Sequence, residues 1–282
     1  MIIAHPLNLT VLGFEVTGYG IMMMVAFVVG AWLADRELKR LGFASDYAGD
    51  MLWAAVIGGV VGAKLWYVAL HGTDALFTRG GLVWYGGFVG GTLAVILNGW
   101  RRGVPVRWTG QIIAPVLAAA YAIGRVGCYL VGDDYGKPSS SAFAVAFPEG
   151  LPRTTAGVMR AEFPGLDIPA SLPPETVIAV HPTQLYEVAM MLFAFALLWR
   201  WRTSPRGTGW LLGAYLVMAG IERFIVEFFR AKDDRLLGSM TIAQAFSVFL
   251  VLLGSYLIVR WSRAGTVAPG PWLERGVAGR AG

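Results

Sequence analysis

Arg125, Glu187, Arg223 and Glu227 each interrupt a long apolar run, and Lys64 interrupts another. Charged side chains in such runs are costly unless paired or hydrated, so each is a candidate functional residue. Arginine presents a fixed fork of donors that matches phosphate geometry. Arg125 and Arg223 together point to an anionic group such as the phosphate of a phospholipid. Arg223 and Glu227 are four residues apart and share a helical face, so an intrahelical ion pair that eases burial is the alternative reading of Glu227. Arg230 closes the same run.

Two further segments carry polar groups at the ends of apolar runs. In His181-Pro182-Thr183-Gln184-Leu185-Tyr186-Glu187, Pro182 is a normal start signal for a helix and Thr183 is a possible cap. His181 is either a structural residue of that helix start or a base near neutral pH. His5 and His71 are isolated, and no role is assigned to them. The segment Gly124 to Gly136 (GRVGCYLVGDDYG) ends another run with glycines that suit a tight exit turn. Asp133 and Asp134 lie at that exit, where a carboxylate is either simply solvated or part of a site. Cys128, the single cysteine, permits no internal disulfide and reads as a small packing residue. The His, Cys and carboxylate residues show no metal-ligand spacing, and neither a metal nor a cofactor is expected.

The elements that must hold these residues are membrane spans. The chain is 56% hydrophobic and 15% charged, with 37 glycines, and its mean hydropathy is +0.59. Soluble domains run at roughly 25% charged. A span needs about 20 mostly apolar residues. Seven segments qualify: 16–34, 51–70, 81–100, 109–131, 182–201, 209–229 and 240–259. The fifth has the shortest apolar core, Val188 to Trp199, which leaves six spans as the alternative count. The expected fold is an all-α integral membrane protein, a single polytopic domain over 1–282.

Loop charge orients the bundle. Arg36, Lys39 and Arg40 follow the first span, and Arg101, Arg102 and Arg107 separate the third from the fourth. Arg200, Arg202 and Arg206 separate the fifth from the sixth, and Arg260, Arg263, Arg275 and Arg280 follow the seventh. More than half of the 23 basic residues thus share one side, which the positive-inside rule assigns to the cytoplasm. The N-terminus is then outside and the C-terminus inside. The net charge of +5 reflects this topology, and no nucleic-acid partner is expected. No Lys or Arg precedes Arg36, so the first span lacks the basic region of a cleavable signal peptide and is expected to be retained.

With that orientation the polar residues share one depth. Arg125 lies seven residues before Gly132, about 10 Å below the outer end of its span at 1.5 Å per residue. Lys64, Tyr85, Glu187, Arg223, Glu227 and Arg230 also fall toward the outer side, so five spans converge there. Seven prolines make 132–180 a small irregular outer cap, with one short strand expected within Ala142 to Phe147. The Gly-, Ala-, Pro- and Arg-rich residues 264–282 are expected to form a disordered cytoplasmic tail. Gly58, Gly59, Gly62, Gly86, Gly87, Gly90 and Gly91 suit close helix packing or, alternatively, close backbone approach to a ligand.

Five motifs in order resemble the phosphatidylglycerol–prolipoprotein diacylglyceryl transferase family: GAKLWYV at Gly62 to Val68, GGLVWYGGFVGG at Gly80 to Gly91, the Gly124 to Gly136 segment, HPTQLYE at His181 to Glu187, and RFIVEFFR at Arg223 to Arg230. The resemblance implies a seven-span bundle in the bacterial plasma (inner) membrane with a cavity facing the outer leaflet. It implies transfer of the diacylglyceryl group of phosphatidylglycerol to the lipobox cysteine of a prolipoprotein, giving a thioether and glycerol phosphate. Its partners would be phosphatidylglycerol, the lipobox segment and membrane lipid. Arg125 and Arg223 match the family's arginines and are expected to hold the phosphate. Tyr85, His181 and Asp133 are the candidates for taking the thiol proton. Gly136, Gln184, Tyr186, Glu187, Glu227, Arg230, Lys64, Gly86 and Gly87 are the further expected substrate contacts. Three positions depart from the family pattern. Tyr85 stands where a histidine is frequent, and Cys128 and Val131 stand where the family's GRxGNFxNxExxG pattern has asparagines. Val131 cannot donate a side-chain hydrogen bond. These departures support the alternative, a paralogue that binds anionic phospholipid or lipoprotein without transfer. A transporter would place its site near the midplane on broken helices or inverted repeats, and the sequence shows neither.

Overall fold

The computed structural model of the protein describes residues 2–11, 13–77, 81–231, 235–237 and 240–278. Seven long helices dominate: α1 (Gly18–Leu41), α2 (Asp46–His71), α3 (Trp84–Arg101), α4 (Val106–Val131), α6 (Thr183–Trp201), α7 (Trp210–Glu227) and α8 (Ile242–Arg263). Each overlaps one of the seven apolar segments, with ends that differ by up to seven residues, as where α1 runs on to Leu41. Four of them, α1, α2, α4 and α8, are long and apolar enough to cross a membrane. Many large apolar side chains face outward, Val28, Trp53, Trp100 and Leu252 among them. A surface of this kind suits lipid as solvent. The chain is a mostly helical membrane protein.

The chain divides into two compact units. The first comprises Met1–Val29, Leu117–Thr203 and Leu212–Ile258. Its N-terminus pairs β1 (Ile2–Ile3) in parallel with β4 (Val145–Ala146), and β2 (Asn8–Val11) forms a hairpin with β3 (Phe14–Thr17). Val16 and Thr17, which hydropathy assigns to the first span, belong to that hairpin, and the helix begins at Gly18. The turn glycine Gly13 has φ +81°, a conformation that glycine adopts without steric cost. The 132–180 segment is irregular, as its prolines dictate, yet it has a core of its own. Tyr135, Val145, Phe147, Ala156, Met159, Ile168 and Val180 are buried together around β4 and the short helix α5 (Ala156–Glu162). In this unit α7 and α8 approach at small residues. A Cβ on Gly213 would lie 2.7 Å from the Gly254 carbonyl, and one on Gly220 would lie 2.7 Å from the Ser247 carbonyl. Such seams replace the hydrophobic drive that lipid removes. Residues 235–237 and 240–241 form a small antiparallel pair, β5 and β6.

The second unit comprises Gly30–Val116, Ser204–Leu211 and Val259–Gly282. There α2 packs on α3 along facing glycines. Cβ atoms on Gly62 and Gly90 would collide with the carbonyls of Gly86 and Gly58 respectively. Within the expected tail, Pro271–Ala278 is a helix, α9, whose Leu273 is fully buried against Tyr47, Val104 and Ile112. Composition hid it, because two apolar residues, Trp272 and Leu273, suffice to dock so short a helix. Residues 279–282, the rest of that expected tail, lie outside the described residues.

Candidate functional site

The site in the first unit is built from the end of α4. Gly132, with φ +68°, terminates the helix, and its amide hydrogen-bonds the Cys128 carbonyl at 3.0 Å. A Cβ there would lie 2.9 Å from both Gly150 Cα and Phe147 Cδ1. The chain then reverses through Asp134, a non-glycine residue with φ +55°. This reversal returns Asp134 to Arg125, and Arg125 Nη1 contacts Asp134 Oδ2 at 2.8 Å. On its other edge, Arg125 Nε lies 2.6 Å from Glu187 Oε2, and Nε and Nη2 each donate to the Tyr121 hydroxyl at 3.2 Å. Glu187 is completely buried. Arg230 meets Asp134 from α7's side: Nη2 contacts Oδ1 at 2.8 Å and Nη1 donates to the main-chain carbonyl at 3.3 Å. Arg223 Nη2 contacts Glu227 Oε2 at 2.6 Å, the i, i+4 pair expected from spacing.

Backbone pairing locks these groups in place. The Gly136 amide donates to the His181 carbonyl at 2.8 Å, the His181 amide to the Lys137 carbonyl at 2.9 Å, and the Lys137 amide to the Phe229 carbonyl at 2.8 Å. Gly136 leaves no space for a side chain. A Cβ would collide with the Phe229 carbonyl and lie 2.8 Å from both His181 Cβ and Thr183 Cγ2. Thr183 does not cap its helix. Its hydroxyl donates to the Asp134 carbonyl at 2.7 Å, and Pro182 takes the cap position. Gln184 Nε2 donates to the Asp133 carbonyl. His181 Nδ1 and the Tyr186 hydroxyl are 3.1 Å apart.

Several buried polar atoms are left over. Arg223 Nη1, Glu222 Oε1, Asp133 Oδ1 and Gln184 Oε1 have no hydrogen-bond partner among the described residues. Buried polar groups are normally satisfied, so each of these atoms is a candidate position for a ligand, a proton or an ordered water. Burial, with Asp134 adding to it, pushes the Asp133 carboxyl up to about 6. Burial also acts on Asp134, but Arg230 and Arg125 outweigh it and hold that carboxyl at about 2. Burial and Lys137 hold the His181 imidazole below its ordinary range, so it is neutral at pH 7. Cys128 Sγ and carboxylate oxygens of Asp133 and Asp134 lie within 4.8 Å of one another. Both Asp134 oxygens already accept from guanidiniums, a donor set that suits an anion better than a cation.

Of the residues singled out by sequence, the first unit brings Arg125, Asp133, Gly136, His181, Gln184, Tyr186, Glu187 and Arg230 into one connected network. Arg223 and Glu227 form a separate pair in the same unit. Lys64, Tyr85, Gly86 and Gly87 belong to the second unit. There Lys64 Nζ lies 5.4 Å from the Tyr67 ring, and a Cβ on Gly86 would meet Trp66 and Gly62, so helix packing accounts for that glycine. Sequence reasoning missed Asp134 as an arginine ligand, Tyr121, and the buried Glu222. The signal for Asp134 was the glycine that turns the chain back at 132.

Apolar helices long enough to cross a membrane, with buried arginines clamped by carboxylates among them, define the class as an integral membrane protein. A family profile described as prolipoprotein diacylglyceryl transferase matches residues 6–260. A phosphatidylglycerol–prolipoprotein diacylglyceryl transferase of Clostridium tetani is 29% identical over 260 residues, which cover 89% of this chain and 96% of that one. Its namesake in Nitratidesulfovibrio vulgaris (strain DP4) is 27% identical, covering 93% and 97%. That of Pseudomonas aeruginosa (strain UCBPP-PA14) is 30% identical, covering 90% and 92%. The chain belongs to the prolipoprotein diacylglyceryl transferase family and is a membrane-embedded transferase of lipoprotein biosynthesis.

Proposed function

We propose that this protein transfers the diacylglyceryl group of phosphatidylglycerol to the lipobox cysteine thiol of a prolipoprotein. It does so at the outer leaflet of a bacterial plasma membrane, as a seven-span protein with its N-terminus outside. The observation that carries the reading is the buried arginine network around Arg125, with Arg223 Nη1 left undirected in the separate Arg223–Glu227 pair of the same unit. Arg223 and Arg125 bind the lipid phosphodiester, and Glu187 and Tyr121 aim the Arg125 guanidinium. The substrate sulfur attacks the glyceryl carbon. An S–C bond forms, the C–O bond to the phosphate breaks, and the electron pair leaves on the phosphate oxygen. The arginines stabilise that leaving charge, an effect worth roughly 3–4 kcal/mol per preorganised donor.

Asp133 is the proposed acceptor of the thiol proton. Its carboxyl, at about 6, is ionised at neutral pH yet more basic than an ordinary aspartate. His181 is tied to Tyr186 and positions the HPTQLYE segment through its main-chain bonds. Gln184, Tyr186, Gly136 and Arg230 shape the head-group surroundings, and Glu227 orients Arg223.

The test is transferase activity of the purified protein in detergent with phosphatidylglycerol and a lipobox peptide, with Arg223→Ala alongside. A diacylglyceryl thioether detected by mass spectrometry from wild type alone supports the reading. Phosphatidylglycerol bound without any product would overturn it in favour of a lipid-binding paralogue.

A further inference from the structure

Asp134 bridges two guanidiniums. Each of its oxygens takes one arginine at 2.8 Å, Arg125 on Oδ2 and Arg230 on Oδ1. The guanidinium side chains are 17% and 11% exposed, whereas the aspartate side chain is 42% exposed. The acid therefore covers the arginine pair from the accessible side. Two guanidiniums sharing two oxygens of one anion is also how a phosphate is held.

The loop is held by bonds other than those of this side chain. The Asp134 carbonyl is fixed by Thr183 Oγ1, and its neighbours are fixed by the main-chain bonds of Gly136 and Lys137. A rotation of the carboxylate away from the arginines thus leaves the backbone where it is. The left-handed conformation at 134 accepts Asn and Gly as readily as Asp.

We propose that Asp134 is an internal anionic ligand of the Arg125–Arg230 pair, which the phosphate of the lipid must displace and which then drives the phosphate product out. This rests on the transfer reading above. The lipid phosphodiester carries one negative charge, whereas a phosphomonoester has a second pKa of about 6 and carries nearly two at neutral pH. The returning carboxylate competes with both and repels the product more strongly. Asp134 is therefore a determinant of head-group affinity and of product release, without touching the reacting carbon.

The experiment compares full-length wild type, Asp134→Asn and Asp134→Gly, each purified in detergent and checked for folding by thermal unfolding. Binding of glycerol phosphate is measured by calorimetry, and its inhibition of thioether formation is measured separately. Removing the internal competitor and its two arginine contacts is expected to tighten glycerol phosphate binding by about ten-fold or more. The KM for phosphatidylglycerol falls by less, and kcat falls as release slows. A merely structural role would move binding the other way. Unchanged or weaker glycerol phosphate binding in both folded variants overturns the proposal. Tighter binding by the variants with no thioether from wild type would uphold the clamp and reject the transfer reading instead.

Discussion

Gly136→Ala is the sharpest perturbation the site offers, because Gly136 packs against three of its walls at once. The added methyl would collide with the Phe229 carbonyl and sit 2.8 Å from His181 Cβ and Thr183 Cγ2. Ordinary carbon–carbon contact begins at about 3.5 Å, so these neighbours must retreat by roughly 0.7 Å or more. None of them is a flexible side-chain end. The Phe229 carbonyl accepts from Lys137, and residue 230 carries the Asp134 ligand. The strain of such an insertion costs about 1–3 kcal/mol of stability. Misplacing catalytic groups by about 1 Å costs on the order of 100-fold in rate. Gly124→Ala is the matched control. It lies in the same segment, next to Arg125, and a Cβ there meets nothing within 4 Å. Initial rates of thioether formation at saturating phosphatidylglycerol, with thermal unfolding in the same detergent, give both quantities. The expectation is a loss of about 100-fold in Gly136→Ala and a change within about two-fold in Gly124→Ala. Near-wild-type activity in Gly136→Ala, or an equal loss in Gly124→Ala, would refute the packing argument.

Three further outcomes follow from the geometry. Arg223→Ala should lower kcat/KM by about 100- to 1,000-fold, and Arg223→Lys should recover only part of it, because a point charge does not reproduce the fork. Transfer should fall about ten-fold per pH unit below about 6, as Asp133 takes up a proton in place of the thiol's. Asp133→Asn should abolish that limb, and an inflection near 4 would contradict the raised carboxyl. Glu187→Ala should destabilise the protein by about 3 kcal/mol, because it removes the fully buried carboxylate partner of the Arg125 guanidinium. Thermal unfolding reads this directly, and wild-type stability would show that Asp134 and Tyr121 suffice to hold Arg125.

Hydropathy made the long helices legible because lipid-facing sequence has no competing signal. The α6 helix begins at Thr183, one residue from the apolar boundary at 182, and ends with it at Trp201. The same measure is blind to turns. It attached Val16 and Thr17 to α1 although Gly13 reverses the chain just before them. It also discarded Pro271–Ala278, where docking rests on Leu273 rather than on a long apolar face. Site residues on helices were found because a charge inside an apolar run stands out, and the spacing of four foretold the Arg223–Glu227 pair. Asp134 escaped because its partner lies across a left-handed reversal, where helical spacing no longer predicts neighbours.

The acids decide what the arginines can do. Each arginine of the site has a carboxylate inside the fold: Arg125 has Glu187 and Asp134, Arg230 has Asp134, and Arg223 has Glu227. Leaving such a charge without its partner costs several kcal/mol, about 3–5 when one partner of a buried pair is removed. The network is therefore internally paired without lipid, and under the proposed function a phosphate gains only what the internal acids give up. Glu187 is completely buried and gives up nothing. Asp134 is the accessible partner, and Arg223 keeps one undirected donor. In the proposed reaction, binding energy is thereby held back from the ground state and spent where the leaving phosphate gains charge, which is how a site raises turnover rather than affinity.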